Sequence, residues 1–199
     1  MQKHSRFLNG FTLIEVLVVI SIVVLITSVL IFSGSKGRAA SDVQNAAQAL
    51  ALHIQEMQAY ALGVRSSGGD YGGSYGLDFI HNISNSTDHQ QYVAFVDVDQ
   101  DRRYDTSGDI LLETVTLPEK VQIDSLSLVG TGSGSSPLTP GSEQGLTIVF
   151  ERPSPDAHIS RVASGKDSWS GVAIVLESTL DSSITATITV LDTGHVRVE

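Results

Sequence analysis

The longest apolar run of the chain lies near its start, from Phe11 to Phe32. It reads FTLIEVLVVISIVVLITSVLIF, and Glu15 is its one charged residue, with neither glycine nor proline in the run. A helix of this run at about 1.5 Å per residue is about 33 Å long, enough to cross a bilayer core of about 30 Å. We therefore predict a transmembrane helix over residues 11–32, the alternative being a buried core helix.

The residues before this run predict its orientation. Residues 1–10 include Lys3 and Arg6, and the positive-inside rule keeps such a short basic end in the cytoplasm. The apolar run is longer than the roughly 7–15 residues of a secretory signal, and no Ala-x-Ala cleavage site follows it. We expect a single-pass protein of the cytoplasmic (inner) membrane, with its C-terminal domain outside the cytoplasm.

Glu15 is an unusual residue for a membrane helix. A carboxylate there costs about 2.5–3.5 kcal/mol on insertion scales, so it normally has a partner or a function. If the peptide bond after Gly10 were cut, Phe11 would carry a free ammonium one helical turn from Glu15. In a bundle of parallel, staggered copies, Glu15 of one subunit could neutralise the Phe11 ammonium of its neighbour. The sequence thus predicts association through this helix.

The segment Gly10-Phe11-Thr12-Leu13-Ile14-Glu15, with a short basic leader before it and a long apolar helix after it, resembles the precursors of type IV pilins and type II secretion pseudopilins. The resemblance is strong over about the first 60 residues. It implies that residues 1–10 are a leader removed after Gly10 by a prepilin peptidase, that Phe11 is then N-methylated, and that Glu15 is the assembly carboxylate. Implied partners are other pilin or pseudopilin subunits, the prepilin peptidase and the cytoplasmic membrane.

A second helical pattern follows over residues 33–62. Its apolar residues recur at spacings of three and four, which predicts an amphipathic continuation of the helix packed on the protein's own sheet, the alternative being a partner helix. The apolar residues are Val43, Ala47, Leu50, Ile54, Met57 and Ala61, and the glutamines expected elsewhere on the helix surface are Gln44, Gln48, Gln55 and Gln58. The glycines and serines of residues 33–37 weaken helix propensity. Local melting there is the expected substitute for the helix-bending proline that major pilins carry near this position, and the absence of that proline argues against a major subunit.

Residues 63–199 read as a β-rich globular domain. Runs with period-two alternation predict strands at 75–80, 91–97, 110–117, 121–128, 146–151, 157–162, 171–177, 184–191 and 195–198. Asp192-Thr193-Gly194 predicts a hairpin between the last two, and the composition of residues 130–145 predicts a flexible loop. The predicted fold class is α+β, with a long N-terminal helix packed on an antiparallel β-sheet domain, and the resemblance implies a pilin fold.

Two segments of residues 63–199 make the resemblance more specific, because they resemble one subgroup of these subunits. An Arg-Pro segment, residues 149–157, precedes two predicted strands, and the chain closes on Thr193-Gly194-His195-Val196-Arg197-Val198. This arrangement is similar to minor pseudopilins of the H type and to FimT-like minor pilins, which are low-abundance subunits of the tip or initiation complex. Some FimT-like relatives bind DNA through basic C-terminal residues, but only Arg197 is basic among the last 30 residues here.

Composition excludes several function classes. The formal net charge of -10 makes nucleic-acid binding unlikely, because phosphate binding depends on clustered Lys and Arg. No cysteine is present, so disulfides, thiolate metal sites and thiol nucleophiles are excluded. The six histidines have no metal-binding spacing, and neither a nucleophile elbow nor a phosphate loop occurs. We expect a protein that is not an enzyme.

One acidic segment has the spacing of a calcium loop. Carboxylates occupy its positions 1, 3, 5, 9 and 13; they are Asp97, Asp99, Asp101, Asp105 and Asp109. The segment departs from an EF-hand at Arg102, where glycine is expected, and at Gly108, where a bidentate glutamate is expected. A structural Ca²⁺ site and a solvated acidic turn are both open, and Arg102 and Arg103 could instead pair with the carboxylates.

Together these features predict a noncatalytic minor pilin or pseudopilin that requires no cofactor. It would be a structural subunit of a type IV pilus or a type II secretion pseudopilus, assembled through its N-terminal helix. The alternative is a membrane-tethered extracytoplasmic binding module or adhesin that does not polymerise.

Overall fold

The computed structural model describes residues 11–63, 73–79, 88–130, 135–138, 145–161 and 169–199, with the backbone alone at 30–36, 88 and 135–138. The predicted leader, residues 1–10 with Gly10, lies outside these ranges. The chain divides into two compact units with the boundary between Arg38 and Ala39. We refer to them as the N-terminal unit and the C-terminal unit.

A single α-helix, α1, runs from Leu13 to Leu62 and spans this boundary in the sequence. The predicted helix, Phe11 to Leu62, therefore began two residues too early. The expected melting at residues 33–37 was wrong, because the backbone is helical throughout that stretch. A glycine costs only about 1 kcal/mol in a helix interior, which the flanking turns can offset. Among the described residues, no helix qualifies as a candidate membrane span by length and hydropathy.

The second part of α1 supplies one side of the core of the C-terminal unit. All six residues of the predicted apolar stripe are buried, which confirms it, and Ala39, Ala46 and Ala51 extend the buried face. Of the four glutamines expected elsewhere on the surface, three are exposed and Gln58 is half-buried. The spacing of three and four residues places one face of the helix against the sheets.

The strands form two five-stranded sheets in which every described pairing is antiparallel. Sheet 1 has the order β3-β2-β1-β6-β7 and sheet 2 the order β10-β9-β8-β4-β5. A 3₁₀ turn, Asp88–Gln90, precedes β2. The strands are β1 Ser74–Phe79, β2 Gln91–Asp97, β3 Ile110–Thr116, β4 Val121–Val129, β5 Ser135–Leu138, β6 Leu146–Phe150, β7 Ala157–Arg161, β8 Gly171–Ser178, β9 Asp181–Leu191 and β10 Val196–Val198.

The sequence predicted nine of these strands and the α+β class, and the structure differs in two respects. The strands divide between two sheets, whereas one sheet was expected. Strand β5 lies within residues 130–145, where only a loop was expected, and it pairs with β4 at the edge of sheet 2. An edge strand tolerates Pro137, which has no N–H to donate. The predicted ends at Ile80 and Val162 lie outside the described residues.

The predicted final hairpin is confirmed, with β9 paired to β10 across Asp192-Thr193-Gly194. The N–H of Gly194 donates to the carbonyl of Leu191 at 2.9 Å, and that of Leu191 donates to the carbonyl of His195 at 2.9 Å. Gly194 has φ of 77°, a left-handed conformation that glycine adopts without steric cost. The turn therefore follows directly from its sequence.

One hydrophobic cluster joins α1 to both sheets. From sheet 1 it includes Tyr75, Leu77 and Phe79 of β1, and from sheet 2 the inward residues of β4, β8 and β9. All six residues of β1 are buried, which shows that sheet 1 is covered on both faces at its central strand. We call the face opposite the cluster the outer face of sheet 1; its buried residues include Asp78, Phe95, Asp97, Thr147, Val149 and Ser160.

Candidate functional site

The first candidate site is the start of α1. The carbonyl of Thr12 accepts hydrogen bonds from the N–H groups of Glu15 at 3.1 Å and Val16 at 3.2 Å, and its Oγ1 lies 3.3 Å from the Glu15 nitrogen. Thr12 is therefore the N-cap, and Thr-x-x-Glu is the sequence of a capping box. We missed this role in the sequence, although the spacing of Thr12 and Glu15 is the signal that predicts it. Glu15 thus has a local structural reason to be present as well as the predicted assembly role.

The apolar side chains that follow are exposed all round the helix. Phe11 is 80% exposed, and every large apolar side chain described from Leu13 to Val29 is at least 47% exposed in the single chain. A helix that is apolar on all faces needs an apolar environment, and the described part of the chain does not supply one. Gly10, on the other side of the predicted cleavage point, lies outside the described residues.

The hydroxyl groups in this part of α1 are satisfied within the helix. Ser21 Oγ donates to the carbonyl of Leu17 at 2.8 Å, Thr27 Oγ1 to that of Val23 at 2.7 Å, and Ser28 Oγ to that of Leu25 at 2.8 Å. A hydroxyl that donates to a carbonyl one turn earlier does not need water. Glu15 is then the one ionisable group of residues 11–29, and it is exposed.

The second candidate site is the acidic loop, residues 98–109 between β2 and β3, together with Asp97 at the end of β2. Its backbone N–H groups donate to its own carboxylates. Val98 and Asp105 donate to the two oxygens of Asp109 at 3.1 and 2.9 Å, and Arg103 donates to Asp101 Oδ1 at 2.8 Å. Such side-chain to backbone bonds define the path of a loop that has no strand ladder.

The five predicted carboxylates do not converge on one point. They form two groups of three, in each of which one oxygen per residue lies within 4.8 Å of the others. The first group is Asp97, Asp99 and Asp109, and the second is Asp99, Asp101 and Asp105. Asp99 belongs to both groups, so a calcium site and an acidic turn both stay open for these five residues.

Asp97 differs from the other four carboxylates in its burial. The residue is 0% exposed, and its Oδ2 accepts the N–H of Arg102 at 3.1 Å. Its Oδ1 is buried and has no hydrogen-bond partner among the described residues. Burial raises the pKa of Asp97 to about 6; the backbone N–H groups of Arg102 and Gln100 lower it, and the charges of Asp109 and Asp101 raise it. Burial also raises the pKa of Asp109. Leaving such an oxygen unpaired costs about 1–3 kcal/mol or more.

The acidic loop is attached to the outer face of sheet 1 by Arg102. Its carbonyl accepts the hydroxyl of Ser160 at 2.8 Å, and its Nη2 lies 3.2 Å from Glu151 Oε2. Arg102 has φ of 64°, so the backbone makes the left-handed turn for which a calcium loop uses glycine. The predicted alternative, pairing of Arg102 with the loop carboxylates, is replaced by the pair with Glu151. Tyr104 adds a ring contact with Phe95 at 5.1 Å between centroids.

A further carboxylate, which the sequence analysis did not single out, lies on the same face. Asp78 of β1 is buried, and its Oδ1 accepts the hydroxyl of Thr147 at 2.9 Å. Burial raises the pKa of Asp78 to about 7, although the Thr147 bond lowers it. The signal was its position within a strand of buried residues, where an acid needs a hydrogen-bond partner.

The two tail segments that suggested an H-type subunit meet at α1. Gln58 Nε2 donates to the carbonyl of Pro155 at 2.8 Å and lies 3.2 Å from that of Gly194. The N–H of Ala157 donates to the carbonyl of Asp192 at 2.7 Å. A side chain at Gly194 would meet the Pro155 carbonyl, so the close approach also requires glycine. Gln58 was expected on the surface, and its role is a structural link.

The chain matches no protein-family model, no curated protein and no solved structure. The functional argument therefore depends on the residues and contacts described above.

Proposed function

We propose that the chain is a minor pilin or pseudopilin, a structural subunit of a type IV pilus or type II secretion pseudopilus. The observation that carries the proposal is the start of α1. There, Gly10-Phe11-Thr12-Leu13-Ile14-Glu15 introduces a helix whose apolar side chains are exposed on every face. In this proposal the chain has a pilin fold, in which the first part of α1 spans the cytoplasmic membrane and the second part belongs to an extracytoplasmic β-rich domain.

Maturation begins at the peptide bond between Gly10 and Phe11. A prepilin peptidase cuts this bond, and the new amino group of Phe11 is methylated. Cleavage removes Lys3 and Arg6, the two basic residues that hold the leader in the cytoplasm. The chain performs no chemistry of its own; it is the substrate of the enzyme that processes it.

Assembly uses the charge that cleavage creates. In the membrane, the Glu15 carboxylate has a cost of about 2.5–3.5 kcal/mol that the apolar residues around it do not offset. In a bundle of staggered parallel copies, the Phe11 ammonium of one subunit lies beside Glu15 of the next and offsets this cost. The internally bonded hydroxyls of Ser21, Thr27 and Ser28 support the proposal, since they leave the carboxylate as the group that needs a partner.

The capping box supplies a competing explanation for Glu15. A glutamate three residues after a threonine N-cap stabilises the start of a helix whether or not the helix assembles. The two explanations differ in what glutamine can do, because glutamine serves in a capping box but carries no charge. Glu15→Gln therefore removes the proposed assembly function and keeps the capping function. Thr12→Ala does the reverse.

The test is co-expression of the full chain with a prepilin peptidase and a filament-forming host system. Intact mass and N-terminal analysis should give a product that begins at methylated Phe11. We expect Glu15→Gln to be processed normally but to be absent from sheared filaments. Thr12→Ala, which loses about 1 kcal/mol of capping, should be incorporated.

Different results would contradict the proposal. A functional protein that retains Met1, or one that is cut after Ser33, would exclude prepilin processing. Normal incorporation of Glu15→Gln would leave capping as the sufficient explanation for Glu15. It would favour the rival, a membrane-tethered binding module or adhesin that does not polymerise.

A further inference from the structure

We propose that one Ca²⁺ ion binds at the acidic loop, held by Asp97, Asp99 and Asp109. The proposal concerns the C-terminal unit and does not depend on filament assembly. It selects one of the two carboxylate groups, and it leaves Asp101 and Asp105 outside the site.

The separation of the carboxylates fits a single ion. Ca²⁺ binds oxygen at about 2.3–2.6 Å, so two oxygens on one ion can be at most about 5 Å apart. One oxygen from each of Asp97, Asp99 and Asp109 lies within 4.8 Å of the other two. The three residues can therefore contact one ion without a large movement of the loop.

The buried oxygen of Asp97 distinguishes this group from an ordinary acidic turn. Its Oδ1 is inaccessible to solvent and accepts no hydrogen bond from the described residues, while Asp97 is fully buried. A buried carboxylate oxygen is normally hydrogen-bonded or bound to a cation. Backbone N–H groups donate to carboxylates of both groups, and the difference is that no carboxylate of the second group is buried.

One basic side chain of the loop pairs with a residue outside it. Arg102, which directly follows Asp101, lies 3.2 Å through its Nη2 from Glu151 Oε2, directly after β6. Its backbone N–H donates to Asp97 Oδ2, and the backbone N–H of Gln100 also stabilises this carboxylate, while Oδ1 accepts no hydrogen bond from the described residues. A divalent cation meets that need and also offsets the mutual repulsion of three carboxylates.

The ligand set favours Ca²⁺ over Mg²⁺. Calcium accepts six to eight oxygens in a flexible arrangement, including carboxylates, backbone carbonyls and water. Magnesium requires near-octahedral geometry, keeps several waters and usually takes one or two carboxylates from a protein. Three carboxylates on a loop match the first description. The affinity we expect is that of extracellular calcium modules, about 10⁻⁴–10⁻³ M.

The test uses the full chain in detergent, stripped of metal with a chelator and then titrated with CaCl₂ or, separately, with MgCl₂. Thermal unfolding measures stability, and calorimetry measures stoichiometry. We expect one Ca²⁺ per chain and a rise in Tm of about 3–6 °C at ten times the Kd, with a smaller effect of Mg²⁺. Asp97→Asn and Asp99→Asn should lose the rise, and the matched variant Asp101→Asn should keep it.

The chelated state makes the test independent of folding defects. Without metal, Asp97→Asn should be at least as stable as the wild type, because an amide avoids a buried charge. If Asp97→Asn does not fold, the calcium-dependent rise in Tm is tested with Asp99→Asn alone, because Asp99 is exposed. No calcium-dependent rise, two ions per chain, equal loss in Asp101→Asn and Asp97→Asn, or an equal rise with Mg²⁺ would each overturn the proposal.

Discussion

Residues 13–29 and residues 39–62 belong to one helix, yet their apolar side chains meet solvent differently. In the first region every large apolar side chain described is exposed, whereas in the second the apolar stripe is buried against the two sheets. The second region finds its apolar partners within its own chain. The first finds no such partners among the residues that the structure describes.

The largest difference between the two regions should appear when isoleucines are truncated. Ile54 is 0% exposed and Ile22 is 52% exposed. Ile54→Ala should lower the free energy of unfolding of the C-terminal unit by about 2–5 kcal/mol through lost burial and a residual cavity. Ile22→Ala should change it by less than about 0.5 kcal/mol. Urea unfolding of the full chain in detergent, followed by the fluorescence of Trp169, measures both.

Trp169 suits this measurement because it is the one tryptophan of the chain and packs, partly buried, against the core cluster. Equal losses for the two variants would remove the distinction between the two regions of α1.

Carboxylates of the N-terminal and C-terminal units also differ, and the pH dependence of stability should reveal the difference. Glu15 is exposed in the single chain, whereas Asp78 is buried in the C-terminal unit with a pKa raised from 3.8 to about 7. The native state therefore holds this proton more tightly than the unfolded state. The stabilisation that protonated Asp78 gives is complete below about pH 4 and is lost as pH rises through 7. The loss is ~2–4 kcal/mol, since each unit of pKa shift corresponds to about 1.4 kcal/mol.

Urea unfolding at several pH values between 4 and 8 measures this dependence. Asp78→Asn keeps an acceptor for Thr147 and should show a flatter profile than the wild type. Asp97, whose pKa is raised to about 6, contributes a remaining slope of the same sign. Parallel profiles for the wild type and Asp78→Asn would show that Asp78 does not hold a proton at neutral pH.

A smaller effect should separate two glutamines on the second part of α1. Gln58→Ala removes the donor to the carbonyls of Pro155 and Gly194 and should cost about 1–3 kcal/mol. Gln55→Ala, at an exposed position one turn earlier, should be within about 0.5 kcal/mol of the wild type. The same urea titration tests both, and equal stabilities would mean that water replaces the Gln58 bonds without loss.

Local periodicity explains why the helix and most strands could be predicted. The spacing of Val43, Ala47 and Leu50 fits a helix, and the alternation in β9 fits a strand. Periodicity does not tell which strands pair, so the division into two sheets could not be derived from it. Strand β5 was missed because the glycine, serine and proline content of residues 130–145 is typical of a loop.

The candidate sites show a similar limit. Spacing singled out the five aspartates of the acidic loop, and the structure places them in two groups of three that share Asp99. Spacing could not predict that Asp97 would be buried while Asp101 stays exposed, since that difference depends on the pairing of Asp97, at the end of β2, with Ser74 of β1. The N-cap role of Thr12 could be predicted from its sequence spacing to Glu15, whereas the contacts of Gln58 with Pro155 and Gly194 could not.

The contact between Gln58 and Gly194 joins residues that are 136 positions apart. A ribosome makes the second part of α1 long before it makes the hairpin that this glutamine binds. During that interval the nascent helix has neither its polar link nor the strands that bury its apolar stripe. The helix is thus among the first elements synthesised and among the last to be fully packed, so slowing or stalling translation ahead of the hairpin should prolong the lifetime of a chain with an uncovered stripe.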